Sequence, residues 1–200
     1  MADNTLGHTA GVLLAGGRSS RFGSEKALAR FRGEFMLDVV ARRFSGLAAF
    51  AVSTREDSAA ARRACALGIP VLPDAPSHAS GPLRGVCAGL RWAGAIGCEF
   101  LATAPCDAPL LPSDLFERLL CSMGEAPAAY AVTALGTHPL CAVWRVRLLA
   151  PLSMSLAEGE HPSVRQLLAD IGASAIVFAD EGAFLNANTP AALAEMERAA

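Results

Sequence analysis

A loop near the N-terminus combines paired glycines with a high density of basic residues. Residues 18–32 contain five basic side chains and one acidic one, a local charge of +4 in a chain whose formal charge is −2. The basic residues are Arg18, Arg21, Lys26, Arg30 and Arg32. Gly16 and Gly17 come just before them, and glycines allow backbone N–H groups to approach phosphate oxygens closely. The loop therefore predicts a binding site for a polyanion, and the alternative is a glycine turn with solvated arginines.

The spacing of this loop excludes two common phosphate-binding motifs. A P-loop has the pattern G-x-x-x-x-G-K-[ST], whereas five residues separate Gly17 from Gly23, and Lys26 follows three residues later. A dinucleotide-binding fingerprint needs three glycines in the pattern G-x-G-x-x-G, which this loop lacks. The loop is therefore a different kind of phosphate site.

Two acidic residues follow predicted strands farther along the chain. Asp74 ends one such strand, and the run G-P-L-R-G at residues 81–85 then opens a helix. A carboxylate can accept hydrogen bonds from guanine N1 and N2, and the amides of a helix N-terminus can meet O6. Asp107 lies between Pro105 and Pro109, which stiffen the backbone, so its carboxylate is a candidate ligand for Mg²⁺. The alternative for each acid is a structural role in a turn.

The C-terminal third contributes three further polar candidates. His138 and Pro139 lead into an apolar strand, and we expect His138 to orient a second substrate rather than act as a base. Asn186 and Asn188 belong to the run N-A-N-T-P. The side-chain oxygen of Asn188 could complete a metal site, or it could cap the following helix.

The elements that would position these residues alternate between strands and helices. The predicted strands are 10–15, 47–52, 69–72 and 100–104, and the predicted helices are 36–44, 57–67, 83–95 and 112–123. This alternation is typical of βαβ units, whose ligands bind at the carboxyl ends of the strands. The remaining prediction comprises adjacent strands at 128–134 and 139–146, a helix at 163–171, a strand at 175–178, a short apolar stretch at 183–185 and a terminal helix opened by Thr189 and Pro190. The predicted fold class is α/β, a doubly wound and mostly parallel sheet with an antiparallel element in the C-terminal third.

Composition narrows the possible functions. With 52% hydrophobic and 18% charged residues the chain is globular, and its near-neutral charge argues against a nucleic-acid or membrane-surface binder. It has neither an apolar run of the ~18 residues that cross a membrane nor a signal-peptide pattern. The six cysteines show no paired spacing, so we expect reduced thiols and a cytoplasmic location. His8, His78 and His161 have no ligand pattern that predicts a metal cluster.

These motifs together resemble those of the molybdenum cofactor guanylyltransferase family. The loop matches its signature, L-A-G-G-x-S-x-R-M/F-G-x-D/E-K-A/P, at residues 14–17, 19, 21–23 and 25–27. Its further elements D-x(n)-G-P-L-A-G, P-C-D-x-P, H-P and N-x-N-T-P correspond to Asp74 with 81–85, then 105–109, 138–139 and 186–190. The resemblance covers about residues 10–195. The chain departs from the family in having Arg84 in place of Ala, Thr54 in place of Asn, and no acid before His138.

The resemblance implies a variant of the Rossmann fold like that of nucleotide-diphospho-sugar transferases, and it implies a reaction. The terminal phosphate of molybdenum-bearing molybdopterin attacks the α-phosphorus of GTP, which gives a guanine dinucleotide cofactor and pyrophosphate. The implied catalytic residues are Arg21, Lys26 and Asp107, with Mg²⁺ held by Asp107 and Asn188 and the acceptor contacted by His138 and Asn186. The implied nucleotide-binding residues are Leu14, Ala15, Gly16, Gly17, Lys26, Thr54, Asp74, Gly81, Gly85 and Asp107.

On this interpretation residues 1–200 form a single nucleotidyltransferase domain. Residues 10–110 would be the nucleotide-binding half and residues 111–200 the acceptor-binding half. The expected partners are GTP and molybdenum-molybdopterin, and molybdoenzyme chaperones or cofactor-insertion proteins are further candidates.

Three alternatives stay open. The first is the cytidylyltransferase of the same cofactor, whose motifs read L-A-A-G and G-D-x-P, and the second is another NTP transferase of the same fold. The third is a catalytically weak GTP-binding regulatory or carrier protein. Gly16-Gly17 and Pro105-Cys106-Asp107 favour the guanylyl form.

Overall fold

Strands and helices alternate along most of the chain. The computed structural model describes residues 5–16, 25–73, 81–157 and 162–199. The strands are β1 (Thr9–Leu14), β2 (Arg30–Phe31), β3 (Glu34–Phe35), β4 (Ala49–Ser53), β5 (Val71–Leu72), β6 (Phe100–Pro105), β7 (Ala128–Thr133), β8 (Gly136–Arg145) and β9 (Ser174–Val177). The α-helices are α1 (Met36–Ala41), α2 (Ala59–Ala66), α3 (Leu83–Ala95), α4 (Leu115–Ser122), α5 (Leu149–Ala157), α6 (Val164–Asp170) and α7 (Pro190–Ala199). Short 3-10 turns lie at Lys26–Leu28, Arg42–Phe44, Val146–Leu148 and Gly182–Phe184.

The main sheet has seven strands in the order β5-β4-β1-β6-β8-β7-β9. The first four of these pair in parallel, as the alternating sequence predicts. Strand β8 runs antiparallel to both of its neighbours, and β9 pairs with β7 in parallel. The predicted fold class, a mostly parallel sheet with an antiparallel element in the C-terminal third, is confirmed.

Helices cover both faces of this sheet. Side chains alternate along the central strands, so Leu13 faces one core cluster and Val12 the other. The first cluster includes apolar residues of α1, α2 and α4, and the second those of α3, α5 and α6. Gly89 lets α3 lie close to the sheet, because a Cβ atom there would be 2.9 Å from Leu101 Cδ2. This packing holds the parallel strands in place, and their carboxyl ends all lie along the same edge of the sheet.

Two elements were missing from the sequence prediction. Helix α5 follows β8 after the 3-10 turn at Val146–Leu148, and its Pro151 is tolerated because it lies in the first turn of the helix. Strands β2 and β3 form a separate hairpin whose turn residues, Arg32 and Gly33, have φ of 51° and 84°. Two positive φ angles are typical of a tight hairpin turn. The Arg32 N–H donates to Glu197 Oε1, which ties the hairpin to α7.

Within the described ranges, no helix has the length and apolar character needed to cross a membrane. The six cysteines are free thiols, as predicted. The division into one domain with two functional halves stays a prediction.

Candidate active site

Several predicted site residues meet at the carboxyl edge of the parallel strands. Leu14 ends β1 and is followed by Ala15 and Gly16, while Thr54 follows β4 and Asp107 follows β6. Main-chain hydrogen bonds continue past the strand ends, from Ala15 N to Ser53 O at 2.9 Å and from Cys106 N to Leu14 O at 3.1 Å. The loops after three neighbouring strands are therefore held side by side.

Lys26 is the centre of a polar cluster at this edge. Its Nζ donates to Asp107 Oδ2 at 3.0 Å and to Asn188 Oδ1 at 2.7 Å. The three residues lie far apart in sequence and reach the cluster from the 3-10 turn at Lys26–Leu28, from the end of β6 and from the loop before α7. The side chains of Lys26 and Asp107 are only 20% and 15% exposed, so their charges attract each other in a partly desolvated setting. The cluster thus joins one cationic and two oxygen-bearing side chains that were predicted separately.

The loop before α7 presents Asn188 to Lys26. Ala187 N donates to the Asp107 carbonyl at 2.8 Å, which fastens this loop to the end of β6. Thr189 Oγ1 accepts from Ala192 N at 3.1 Å and so caps α7. Of the two roles considered for Asn188, capping therefore belongs to its neighbour, and the Asn188 carboxamide joins the cluster. Asn186 is exposed beside it.

His138 lies in a neighbouring aromatic environment. Its ring stacks on Phe184 with centroids 4.7 Å apart, and its Nε2 forms a 3.0 Å hydrogen bond with Thr133 Oγ1. Burial lowers the pKa of the imidazole from its usual 6.5, which favours the neutral ring at pH 7. The 3-10 turn that contains Phe184 leads directly to Asn186 and Asn188. The two predicted acceptor residues thus lie on segments that touch each other.

Other predicted nucleotide contacts have clear structural roles. Thr54 is 2% exposed, and its Oγ1 is 3.0 Å from Ser58 Oγ and 3.5 Å from the Ala15 carbonyl. A Cβ atom on Gly85 would lie 2.8 Å from both Leu14 Cδ2 and Ser53 Oγ, so glycine lets the first turn of α3 approach the strand ends. Gly81 adopts φ of +123° just before that helix. The predicted contacts of Thr54, Gly81 and Gly85 with nucleotide stay predictions.

Three predicted site residues, Gly17, Arg21 and Asp74, lie outside the described residues, as do His78 and His161. The roles expected of them stay predictions.

Cys106 precedes Asp107 and is buried. Burial raises the pKa of its thiol to about 12, so the thiol is protonated at neutral pH. This agrees with its interpretation as a small buried residue rather than a nucleophile.

The cluster has donors of the type that Mg²⁺ prefers. A carboxylate and a carboxamide oxygen converge on one positively charged group, and both are hard oxygen ligands. The described part of the chain contains no group of three or more His, Cys, Asp or Glu residues that could enclose a metal ion. Mg²⁺ commonly binds through one or two carboxylates and completes its shell with water and substrate phosphates, so these residues fit the ion.

Comparisons with known proteins relate the chain to one family of nucleotide transferases. Residues 11–176 match the family described as the MobA-like NTP transferase domain. The chain is 42% identical over 189 residues to a molybdenum cofactor guanylyltransferase of Cereibacter sphaeroides, with 94% of each chain covered. It is 43% identical over 197 residues to one of Acidiphilium cryptum, with 96% of each covered.

A solved structure of similar fold is that of molybdopterin-guanine dinucleotide biosynthesis protein A from Archaeoglobus fulgidus. Its TM-score is 0.71 at 19% identity, and the match covers 96% of this chain and 97% of that one. CMP:2-keto-3-deoxy-manno-octonic acid synthetase complexed with CTP has a TM-score of 0.74 at 19% identity, with the same coverage. At these identities the structural likeness shows the fold alone.

Proposed function

The chain belongs to the MobA-like NTP transferase family, and we propose that it is a molybdenum cofactor guanylyltransferase. In this reaction an oxygen of the terminal phosphate of molybdenum-molybdopterin bonds to the α-phosphorus of GTP. The bond between that phosphorus and the bridging oxygen to the β-phosphorus breaks, and pyrophosphate leaves with its electron pair. Relatives at 42% and 43% identity over most of the chain carry this name.

The observation that carries the proposal is the contact of Lys26 with Asp107 and Asn188. It lies where open α/β sheets bind their ligands, at the carboxyl ends of β1 and β6. Lys26 supplies a positive charge that can move from the Asp107 carboxylate to the β- and γ-phosphates. Arg21 is proposed to share this task. Charge neutralisation and in-line positioning are the main requirements of phosphoryl transfer, and Lys26 is proposed to contribute to the first of them.

The chain does not need a strong general base for this chemistry. The attacking phosphate monoester has a second pKa near ~6, so it is already ionised at neutral pH. This is consistent with the protonated thiol of Cys106 and with the position of His138 beside Phe184. We propose that His138 and Asn186 contact the acceptor.

Asp107 and Asn188 are the residues that would hold Mg²⁺. When bound there, the ion would neutralise negative charge on the triphosphate. Asp107 and Asn188 would then contribute oxygen ligands, and Lys26 would be released from them to contact the triphosphate.

We propose that the residues after β5 and at the start of α3 select the base of the nucleotide. Asp74 is proposed to accept from guanine N1 and N2. Gly81 and the backbone amides at the start of α3 are proposed to lie near O6. Arg84, which is half-buried on the first turn of this helix, is one of the side chains by which this chain departs from the family.

Two further assignments belong to the proposal. We expect the protein to act in the cytoplasm, since free thiols at the exposed Cys65 and Cys121 suit a reducing compartment. Molybdoenzyme chaperones or cofactor-insertion proteins would receive the product.

The test is release of pyrophosphate from GTP, CTP, ATP and UTP in the presence of molybdenum-molybdopterin. GTP is expected to react fastest, and Lys26→Ala should weaken GTP binding and slow turnover while the fold remains intact. A preference for CTP would indicate the cytidylyltransferase. Tight GTP binding without pyrophosphate release would indicate a regulatory or carrier protein instead.

A further inference from the structure

We infer that Glu25 is a positioning residue for Lys26. The inference deepens the proposed function, on which the importance of Lys26 rests. Glu25 and Lys26 are adjacent in sequence, but their side chains contact different parts of the fold. One reaches the N-terminus of α2, and the other reaches Asp107 and Asn188. A restraint on the first therefore limits where the second can go.

The Glu25 carboxylate is held by two backbone amides. Oε1 accepts from Ala59 N at 3.0 Å and Oε2 accepts from Ala60 N at 2.8 Å. These amides begin α2, where unpaired N–H groups and the helix dipole both favour a negative charge. Because both carboxylate oxygens are engaged, the side chain is fixed in orientation as well as in position.

The helix that receives Glu25 is itself well anchored. Ser58 Oγ accepts from Ala61 N at 2.9 Å, which caps α2 independently of Glu25. The Ser58 hydroxyl also meets that of Thr54, at the end of β4. Ala60 and Ala64 are buried in the core. The attachment point of Glu25 is therefore rigid.

The backbone between the two side chains transmits this restraint. Leu28 N donates to the Glu25 carbonyl and Ala29 N to the Lys26 carbonyl, each at 3.0 Å, so both residues belong to one tight turn. Ala27 is buried within it. Loss of the contact between Glu25 and α2 would free the N-terminal side of the turn and let the Lys26 ammonium move away from Asp107 and Asn188.

A simpler explanation is that Glu25 only stabilises α2. Ser58→Ala is the matched control for this explanation, because it removes the other cap of the same helix without touching the turn at Lys26. If helix stability alone mattered, the two substitutions would affect Lys26 equally.

The composition of the chain makes Lys26 easy to observe. It is the only lysine among the 200 residues. Its rate of modification by an amine-reactive acylating reagent can therefore be measured by mass spectrometry of a single peptide. This measurement needs no nucleotide, so it does not depend on the proposed activity.

We expect Glu25→Gln to accelerate acylation of Lys26 about tenfold, a change typical of losing a charge-assisted hydrogen bond. Glutamine keeps the size of the side chain, but only one of its two terminal groups can accept from an amide. Ser58→Ala should leave the rate unchanged although it lowers the melting temperature. Glu25→Asp, which keeps the charge on a shorter side chain, should give an intermediate rate.

Equal rates in wild type and Glu25→Gln would overturn the inference, as would equal acceleration by Ser58→Ala. If Glu25→Gln does not fold, Glu25→Asp decides alone, since an unchanged rate overturns the inference and a raised rate supports it.

A second measurement links the restraint to nucleotide binding. Glu25→Gln should weaken calorimetric GTP binding about tenfold in the wild-type background and less than about twofold in the Lys26→Ala background. Equal weakening in both backgrounds would show that Glu25 does not act through Lys26. A wild-type chain without GTP affinity but with the expected acylation rates would refute the proposed function and leave the inference standing.

Discussion

Asp107→Asn separates the chemistry of the active site from its structural role. The substitution keeps the shape of the side chain, and the remaining carbonyl oxygen can still accept from Lys26, 3.0 Å away from Oδ2 in the present structure. The hydrogen bond from the Lys26 ammonium is kept, but its ion pair with the carboxylate is lost, and an ion pair of this partial exposure contributes up to about 1 kcal/mol, so the expected loss of stability is about 1 kcal/mol. In a chain of this size that lowers the melting temperature by about 2–4 °C.

The effect on turnover should be far larger. Asp107 contributes the negative charge in the proposed metal site, and a divalent cation can contribute several kcal/mol to stabilising charge in a phosphoryl-transfer transition state. At 1.4 kcal/mol per factor of ten, turnover should fall at least about a hundredfold. GTP binding should fall less, because Lys26 and the amides of the loop after β1 remain.

The assay is pyrophosphate release with molybdenum-molybdopterin and GTP, run beside calorimetric titration of GTP and of Mg²⁺. Asp38→Asn is the matched control. Asp38 pairs with Arg63 at 2.6 and 3.0 Å, is also partly buried, and joins α1 to α2 outside the Lys26 cluster. The Asp38→Asn variant should lose about as much stability as Asp107→Asn, but its turnover should equal that of the wild type. Undiminished turnover in Asp107→Asn would refute the role assigned to this carboxylate.

Three further substitutions test individual structural roles. Gly85→Ala should cost about 1–3 kcal/mol in urea denaturation, because its Cβ atom would press on Leu14 and Ser53. Thr54→Val should lower the melting temperature by about 2–4 °C without changing the preference for GTP over CTP, because the lost hydroxyl contacts Ser58. The depressed pKa of His138 means that the unfolded chain binds its proton first as pH falls. The wild type should therefore lose stability below about pH 6.5, and His138→Asn should lose less.

Each of these has an outcome that contradicts it. An unchanged urea midpoint in Gly85→Ala would mean that α3 does not pack tightly on the strand ends. A changed preference for GTP over CTP in Thr54→Val at unchanged melting temperature would show that the hydroxyl acts on base choice rather than through its contact with Ser58. Parallel stability curves for wild type and His138→Asn between neutral and acidic pH would show that the imidazole is not buried in the neutral form.

Local chemical patterns predicted much of the fold. Helix α3 has the predicted bounds, and β1 the predicted buried apolar run before a glycine pair. Helix α5 was missed because its residues are apolar on nearly all sides, so they show no helical periodicity, and Pro151 suggests a break. The β2–β3 hairpin was missed because its strands have only two residues each, too few to show alternation.

The site was predictable in its parts but not in its contacts. Residues that follow buried strands of a parallel sheet share one edge, which placed Ala15, Thr54 and Asp107 together. The bonds from Lys26 to Asp107 and Asn188 span 81 and 162 residues, and spacing along the chain carries no information at that range. Glu25 was recognised only as part of a motif. Its carboxylate contacts the start of α2, which lies more than thirty residues away, so the motif alone does not predict this contact.

The most direct test of the proposed function is to follow the α-phosphorus of GTP into product. Purified protein is incubated with molybdenum-molybdopterin and GTP labelled at that atom, and the products are separated and identified by mass. The account predicts that the label appears in molybdopterin guanine dinucleotide, in an amount equal to the unlabelled pyrophosphate released. Label that remains in GTP would contradict it, as would a labelled dinucleotide formed from α-labelled CTP but not from α-labelled GTP.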